Sequence, residues 1–219
     1  MKLYIMRHGQ TAWNRVPKLQ GRTDIPLNEY GRRAAELTRE GLKNVHFDIA
    51  FTSPLLRAKE TTELILQGRD ISVIDDERLI EIDFGPYEGK SFQLEDENLQ
   101  NFFAKPEAYY PIDESESFES VLERTGKFLS ELYKNSKYQD SVVLISTHGV
   151  TLCGLLCNIK KWGKGDFWKG GLHKNCGFSI VEVINEVPRI LEEAIVAYDE
   201  NELTDYERKD GLKEGYIDE

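Results

Sequence analysis

Two hydrophobic rhythms run along the chain. Short runs dense in β-branched and aromatic residues, at 2–7, 48–52, 71–74, 141–147, 177–185 and 190–197, predict strands. The run at 141–147 (SVVLIST) is continuous rather than alternating, which predicts a strand covered on both faces. Segments of helical period lie between these runs. One spans 28–44, capped by Asn28; a second spans 53–67, opened by the Ser53 hydroxyl with Pro54 at the first helical position. A third spans 117–135, where Phe118, Val121, Leu122, Thr125, Phe128, Leu129 and Leu132 recur at three and four to form one buried stripe. A fourth spans 149–159. Residues 91–105 are polar with helical tendency, and a loop rich in Pro, Tyr and acid follows.

Strands alternating with helices predict an α/β fold, a three-layer sandwich around a mostly parallel sheet. No fixed-period repeat or low-complexity linker divides the chain. One domain over 1–219 is therefore expected, with a helical and loop elaboration near 91–117 and a charged C-terminal segment near 199–219.

Composition narrows the classes. At 219 residues, 40% apolar and 31% charged, the chain can bury a sizeable core and is not of disordered type. A net charge of −11 argues against nucleic acid or an anionic membrane as partner. No apolar run approaches the roughly 18 to 20 residues that cross a bilayer. The opening MKLYIMRHGQ has no long apolar segment behind it, so no signal peptide is expected. Three cysteines, an odd count, suggest a reducing compartment and a cytoplasmic location. The acidic balance still allows a small anionic substrate. Charges are screened over about 8 Å, so a local pair of arginines governs its own pocket.

The candidate chemistry gathers at strand ends. The first strand ends in Arg7-His8-Gly9 and the 141–147 strand in Thr147-His148-Gly149, each a histidine beyond a strand with a glycine to turn the chain. A third junction, Thr52-Ser53-Pro54, places Arg57 in the first turn of a helix, where free N–H groups favour phosphate. Ligands of open α/β sheets collect outside such strand ends. Taken singly, His8, His148, Arg57, Glu81 and Asn14 each have an ordinary structural reading. Together they supply what phosphoryl transfer needs: a nucleophile, cations for the oxygens and an acid for the leaving group.

The ordered set Arg7-His8-Gly9-Gln10-Thr11-Ala12-Trp13-Asn14, Gln20-Gly21, Asp24, Pro26-Leu27, Ser53-Pro54, Arg57-Ala58 and Thr147-His148-Gly149 resembles the histidine phosphatase superfamily, which includes the cofactor-dependent phosphoglycerate mutases. The likeness runs over roughly the first 180 residues and implies a phosphoglycerate mutase-like fold. It implies His8 as the nucleophile that becomes a phosphohistidine. Arg7, Asn14, Arg57 and His148 would hold the phosphoryl oxygens, Glu81 would be the acid and then the base, and Gln20, Gly21 and Gly149 would line the substrate site. Position 10 is Gln where many members have Glu. Asp83 and Glu88 stand near Glu81 as rival acids. The function this implies is a metal-independent, cofactor-free phosphomonoesterase for small phosphorylated metabolites. A phosphoglycerate mutase is the alternative, disfavoured because mutases of this family carry a longer insertion between the acid and the second histidine. A non-catalytic phospho-ligand binder is a third reading.

Two other motifs have bland readings. Cys153, Cys157, His173 and Cys176 could be written as a zinc set, but the Cys-x3-Cys half sits in an apolar helix where thiols usually pack. The stretch at 160–169, rich in Lys and Trp, reads as a surface loop. Phe102, Phe103, Tyr109 and Tyr110 could contact an organic group or simply pack. The sequence specifies neither the natural substrate nor the oligomeric state.

Overall fold

The computed structural model describes residues 1–93 and 95–204. Six strands form one sheet: β1 (Lys2–Arg7), β2 (Ile49–Thr52), β3 (Ser72–Asp75), β4 (Val142–Thr147), β5 (Phe178–Ile184) and β6 (Val187–Ile195). Their order is β3-β2-β4-β1-β5-β6. The first four are mutually parallel, whereas β5 runs antiparallel to β1 and β6 antiparallel to β5. Among the described residues the α-helices are α1 (Ala12–Arg15), α2 (Glu29–Gly41), α3 (Leu56–Leu66), α4 (Glu97–Ala104), α5 (Phe118–Lys134) and α6 (Gly149–Lys160). None of them is long and apolar enough to cross a membrane.

Strand periodicity creates the layers, because successive side chains point to opposite faces. Leu3, Ile5, Ile49, Phe51, Val143 and Ile145 pack with Phe128, Leu129 and Leu132 of α5 and Leu152, Leu155 and Leu156 of α6. Tyr4, Met6, Ala50 and Leu144 face the other way, onto Ala34 and Ala35 of α2 and Ile65 and Leu66 of α3. A third cluster, built on Phe102, Tyr109, Phe118, Val150 and Phe167, joins the 91–117 elaboration to α5 and α6. The charged C-terminal segment is described only to Thr204, and there Leu203 is buried in the second cluster; 205–219 lie outside the described residues.

Several boundaries depart from the sequence pattern. The helix expected from Ser53-Pro54 begins only at Leu56, with no side-chain cap on its N-cap residue Leu55. Asp24 accepts the Leu56 amide from another loop at 2.8 Å, and the Ser53 hydroxyl is engaged by His148 instead. The helix in 91–105 is confined to α4, capped by Asp96, while Ser91 bridges back to Lys18. Strand β6 starts at Val187 rather than Ile190. A two-residue turn, Asn185-Glu186, makes the hairpin with both residues at positive φ, a geometry usually marked by glycine. Pro188 is tolerated because β6 is an edge strand.

One glycine pair fixes the active-site loop. A Cβ on Gly9 would stand 2.8 Å from the Gly31 carbonyl oxygen, and one on Gly31 only 2.6 Å from the Gln10 nitrogen. The loop after β1 thus lies backbone to backbone on α2. Gly31→Ala should destabilise the protein by about 1 to 3 kcal/mol through overpacking, although alanine is intrinsically the better helix former by about 1 kcal/mol. Urea unfolding checks the sign; unchanged or higher stability would mean that the contact is not rigid.

Candidate active site

The sheet brings the two histidines together. Arg7 of β1 is in register with Thr147 of β4, so the next residues, His8 and His148, leave neighbouring strands at the same edge. Their ring centroids are 5.1 Å apart. Thr52 of β2 is in register with Ser146 on the other side of β4, which delivers Ser53 and Arg57 to the same place.

Hydrogen bonding fixes both tautomers. His8 Nδ1 lies 2.6 Å from the Gly9 carbonyl oxygen, which can only accept, so Nδ1 carries the proton and Nε2 keeps its lone pair. Burial, then the charges of Arg57 and Arg7, hold the His8 pKa well below the ordinary histidine value. His8 is therefore a neutral imidazole with a free basic nitrogen at neutral pH. His148 Nδ1 accepts from Arg57 Nε at 3.1 Å, which leaves the proton on Nε2, 2.7 Å from the Ser53 hydroxyl. Its pKa is lowered in the same way, by burial first and then by Arg57. His148 does not line the cavity; it stands behind, with both ring nitrogens engaged.

The two arginines are held by backbone oxygens. Arg57 is fully buried, and besides His148 it donates to the Gly21 oxygen at 2.7 Å and the Thr23 oxygen at 3.0 Å. Burial brings its pKa down to about 10, so it stays charged at neutral pH. Arg7 donates to the His173 carbonyl oxygen at 2.6 Å, and its buried Nε has no hydrogen-bond partner among the described residues. The N terminus of α3, expected to offer amides to a phosphate, is occupied by Asp24; its contribution to the rim is the Arg57 side chain.

The three nearby carboxylates have different places. Glu81 lines the cavity. It also caps α6: Oε2 accepts the Val150 amide at 3.1 Å, and Oε1 accepts the amides of Thr151 and Ile82, both at 3.0 Å. A Cβ built on Gly149 would stand 3.7 Å from both Glu81 Oε2 and Arg7 Nε, so this glycine leaves room between acid and cation. Asp83 accepts the Gly85 amide and faces Arg22, outside the cavity. Glu88 accepts the amides of Arg22 (2.7 Å), Thr23 (2.8 Å) and Phe84 (3.3 Å) and the Thr23 hydroxyl, which holds the 20–24 loop against Arg57. Of these three, only Glu81 reaches the cavity.

That cavity encloses about 250 Å³ and is lined by Arg7, His8, Arg57, Glu81, Asn14, Gln20, Gly21 and Gly149 at its polar end. Asn14 has two tasks. Its side chain closes a capping box with Thr11 at the start of α1, and Asn175 reaches both its Oδ1 (3.4 Å) and the His8 carbonyl oxygen (3.0 Å). Gln20 accepts from the Thr11 hydroxyl. Sequence reasoning missed the far end, where Lys18, Leu19, Phe84, Phe92, Val150, Trp168 and Leu172 join Phe102 and Phe103. Trp168 is the clearest miss: the 160–169 stretch is more than a surface loop, since Phe167 is buried and Trp168 Nε1 donates to the Phe102 carbonyl oxygen at 2.7 Å. No local pattern marks it. Tyr109 packs under Phe102 outside the cavity, and Tyr110 is exposed.

The Cys-His set is not assembled as a metal site among the described residues. Cys153 and Cys157 face the carbonyl oxygens of Gly171 and Phe167, His173 pairs with Ser179, and Cys176 packs on the opposite side of the sheet.

Comparison with known proteins gives a coherent set. A family model described as the histidine phosphatase superfamily, branch 1, matches residues 3–195. An uncharacterized phosphatase, PhoE, of Bacillus subtilis is 36% identical over 156 residues, covering 71% of this chain and 75% of that protein. A 2,3-bisphosphoglycerate-dependent phosphoglycerate mutase of Cytophaga hutchinsonii is 34% identical over 164 residues, covering 73% and 77%. The solved structure of YhfR from Bacillus stearothermophilus matches with a TM-score of 0.83 at 32% identity, covering 89% of this chain and 97% of that one. With paired histidines and two buried arginines at the carboxyl edge of a mostly parallel sheet, this chain belongs to the histidine phosphatase superfamily.

Proposed function

We propose that the protein is a cytoplasmic phosphomonoesterase that hydrolyses small phosphorylated metabolites through a phosphohistidine at His8, with residues 1–219 acting as one domain. The observation that carries the reading is the state of His8: a neutral ring whose Nδ1 is tied to Gly9, leaving a nucleophilic Nε2 beside two buried guanidiniums.

In this mechanism the His8 Nε2 lone pair attacks phosphorus. The ester P–O bond breaks, and its electron pair leaves on the alcohol oxygen, which takes a proton from Glu81. Arg7 Nε and the remaining Arg57 donors offset charge on the equatorial oxygens; donors of this kind are worth about 3 to 4 kcal/mol each. Asn14 adds a neutral contact, and His148, behind the cavity, positions Arg57 through Nδ1 while its Nε2 is held by Ser53. Water then attacks the phosphorus, Glu81 takes its proton, and the P–N bond breaks to return the pair to Nε2. The arginines do the neutralising, so the reading requires no metal. Three buried, unpaired cysteines support a reducing location, and the acidic net charge supports a small-molecule substrate over nucleic acid or membrane.

A phosphoglycerate mutase is the second reading, favoured by the mutase relative. Release of inorganic phosphate from p-nitrophenyl phosphate in EDTA supports the phosphatase. Bisphosphate-stimulated conversion of 3- to 2-phosphoglycerate would favour the mutase instead. His8→Ala should abolish turnover and acid-labile labelling by phosphate; normal activity would remove His8 as nucleophile. Glu81→Gln should slow alkyl esters by about 10²-fold or more, and p-nitrophenyl phosphate much less, because a general acid matters most for a basic leaving oxygen. Equal losses on both would move the acid elsewhere.

The buried imidazoles also set a pH dependence of stability. His8 and His148 have lowered pKa values, and burial takes His173 down to about 4. In the unfolded chain these rings bind protons below about pH 6.5, which the folded protein refuses. The unfolded state then carries more protons, so stability falls as pH drops through 6.5 and is retained above it. The urea midpoint should be lower at pH 5.5 than at pH 7.5, above the range where carboxylates titrate. A flat midpoint over that interval would contradict the neutral assignment.

A further inference from the structure

Resting on the phosphatase reading, we infer that the site selects monoesters whose leaving alcohol is apolar, uncharged and about the size of one aromatic ring. Beyond the phosphoryl end, the cavity is walled by Phe84, Phe92, Phe102, Phe103, Trp168 and Leu172. These residues come from the loop after Glu81, the 91–117 elaboration and the loop after α6.

The inner wall is built rather than incidental, while Phe92, Phe103 and Leu172 form an outer rim that is 44%, 42% and 51% exposed. Phe102 is fully buried and stacks on Phe118 at 4.6 Å, which anchors it to α5. Phe84 meets Phe102 edge to face at 5.1 Å, and Phe103 stacks on Trp168 at 5.7 Å. Phe92 closes on Phe103 at 6.0 Å. The Trp168 indole N–H is spent on the Phe102 backbone, so the ring offers the cavity an apolar face. Preorganised aromatic walls bind apolar rings at little ordering cost. The volume of about 250 Å³, phosphoryl end included, lies below the usual range of ligand pockets, about 300–1,000 Å³.

The wall offers charged substrates little, since Lys18 is its single charged side chain beyond the phosphoryl end among the described residues. A phosphoserine brings an ammonium and a carboxylate, and a phosphoglycerate brings a carboxylate; buried against rings without partners, such groups are strongly disfavoured. The one carboxylate in the cavity, Glu81, is committed to the α6 amides and to proton transfer. Arg7 and Arg57 face the phosphoryl end. The remaining cation, Lys18, lies over the Trp13 ring, 5.6 Å from its centroid.

The test compares benzyl phosphate, O-phosphoserine and 3-phosphoglycerate as substrates of the full chain. The serine hydroxyl is the more acidic leaving group, so chemistry alone favours phosphoserine, and a reversed order reports the chamber. Benzyl phosphate should show at least a tenfold higher kcat/KM than either charged ester, expressed mainly in KM. Phe103→Ala, a partly exposed position, should lower the benzyl-to-phosphoserine ratio at least fivefold. Phe103→Arg, which adds a second cation to Lys18 at this end, should raise kcat/KM for 3-phosphoglycerate. Phosphoserine or 3-phosphoglycerate turned over as well as benzyl phosphate would overturn this inference and leave the phosphatase reading intact. Failure to release phosphate from any ester would overturn that underlying reading instead.

Discussion

The site is organised around one unusual burden, a guanidinium taken completely out of water. Arg57 is fully buried, and it donates to two carbonyl oxygens and an imidazole nitrogen rather than to a carboxylate. Burying a charge is costly unless it is hydrogen-bonded and opposed by an opposite charge. Here the hydrogen bonds come from the 20–24 loop and His148, and the opposing charge comes from the nearby carboxylates of Glu81, Asp24 and Glu88. Burial first, and then the charge of this same residue, lowers the pKa of both histidines, so the buried guanidinium helps to keep both rings neutral.

Everything that holds Arg57 is held in turn. Glu88 gathers the amides of the loop that carries the Gly21 and Thr23 carbonyls, and Gly21 takes a positive φ, with Glu88 against the place where a Cβ would stand. Asp24 of the same loop caps the helix on which Arg57 rides. Ser53 and Arg57 fix opposite nitrogens of His148. Such mutual constraint keeps donors at the geometry that charge development requires, with little reorganisation during reaction.

The polar and the aromatic ends of the cavity are built by different parts of the fold. The sheet edge supplies His8, Arg7, His148 and Arg57, and the parallel register alone makes them neighbours. The aromatic chamber is assembled from connections, chiefly the 91–117 elaboration and the loop that carries Trp168. Loops can vary without disturbing the strands beneath them, which lets one catalytic edge serve different leaving groups.

The sequence by itself determined the elements and the chemical inventory. Period two and period three-to-four are local properties, so the strands, α2, α5 and α6 were legible within a few residues. Arg7-His8-Gly9 and Thr147-His148-Gly149 announced themselves as strand-end motifs. Tertiary structure alone decided where α3 starts, because its cap is Asp24 in a distant loop rather than Ser53 beside it. It brought Glu81 to the cavity and tied Asp83 and Glu88, two other acids within eight positions of the sequence, outside it. It also recruited Trp168 and Phe92, whose neighbours in sequence give no sign of a binding wall. Each of these outcomes depends on contacts between segments far apart along the chain, and local periodicity contains no information about which distant partner arrives.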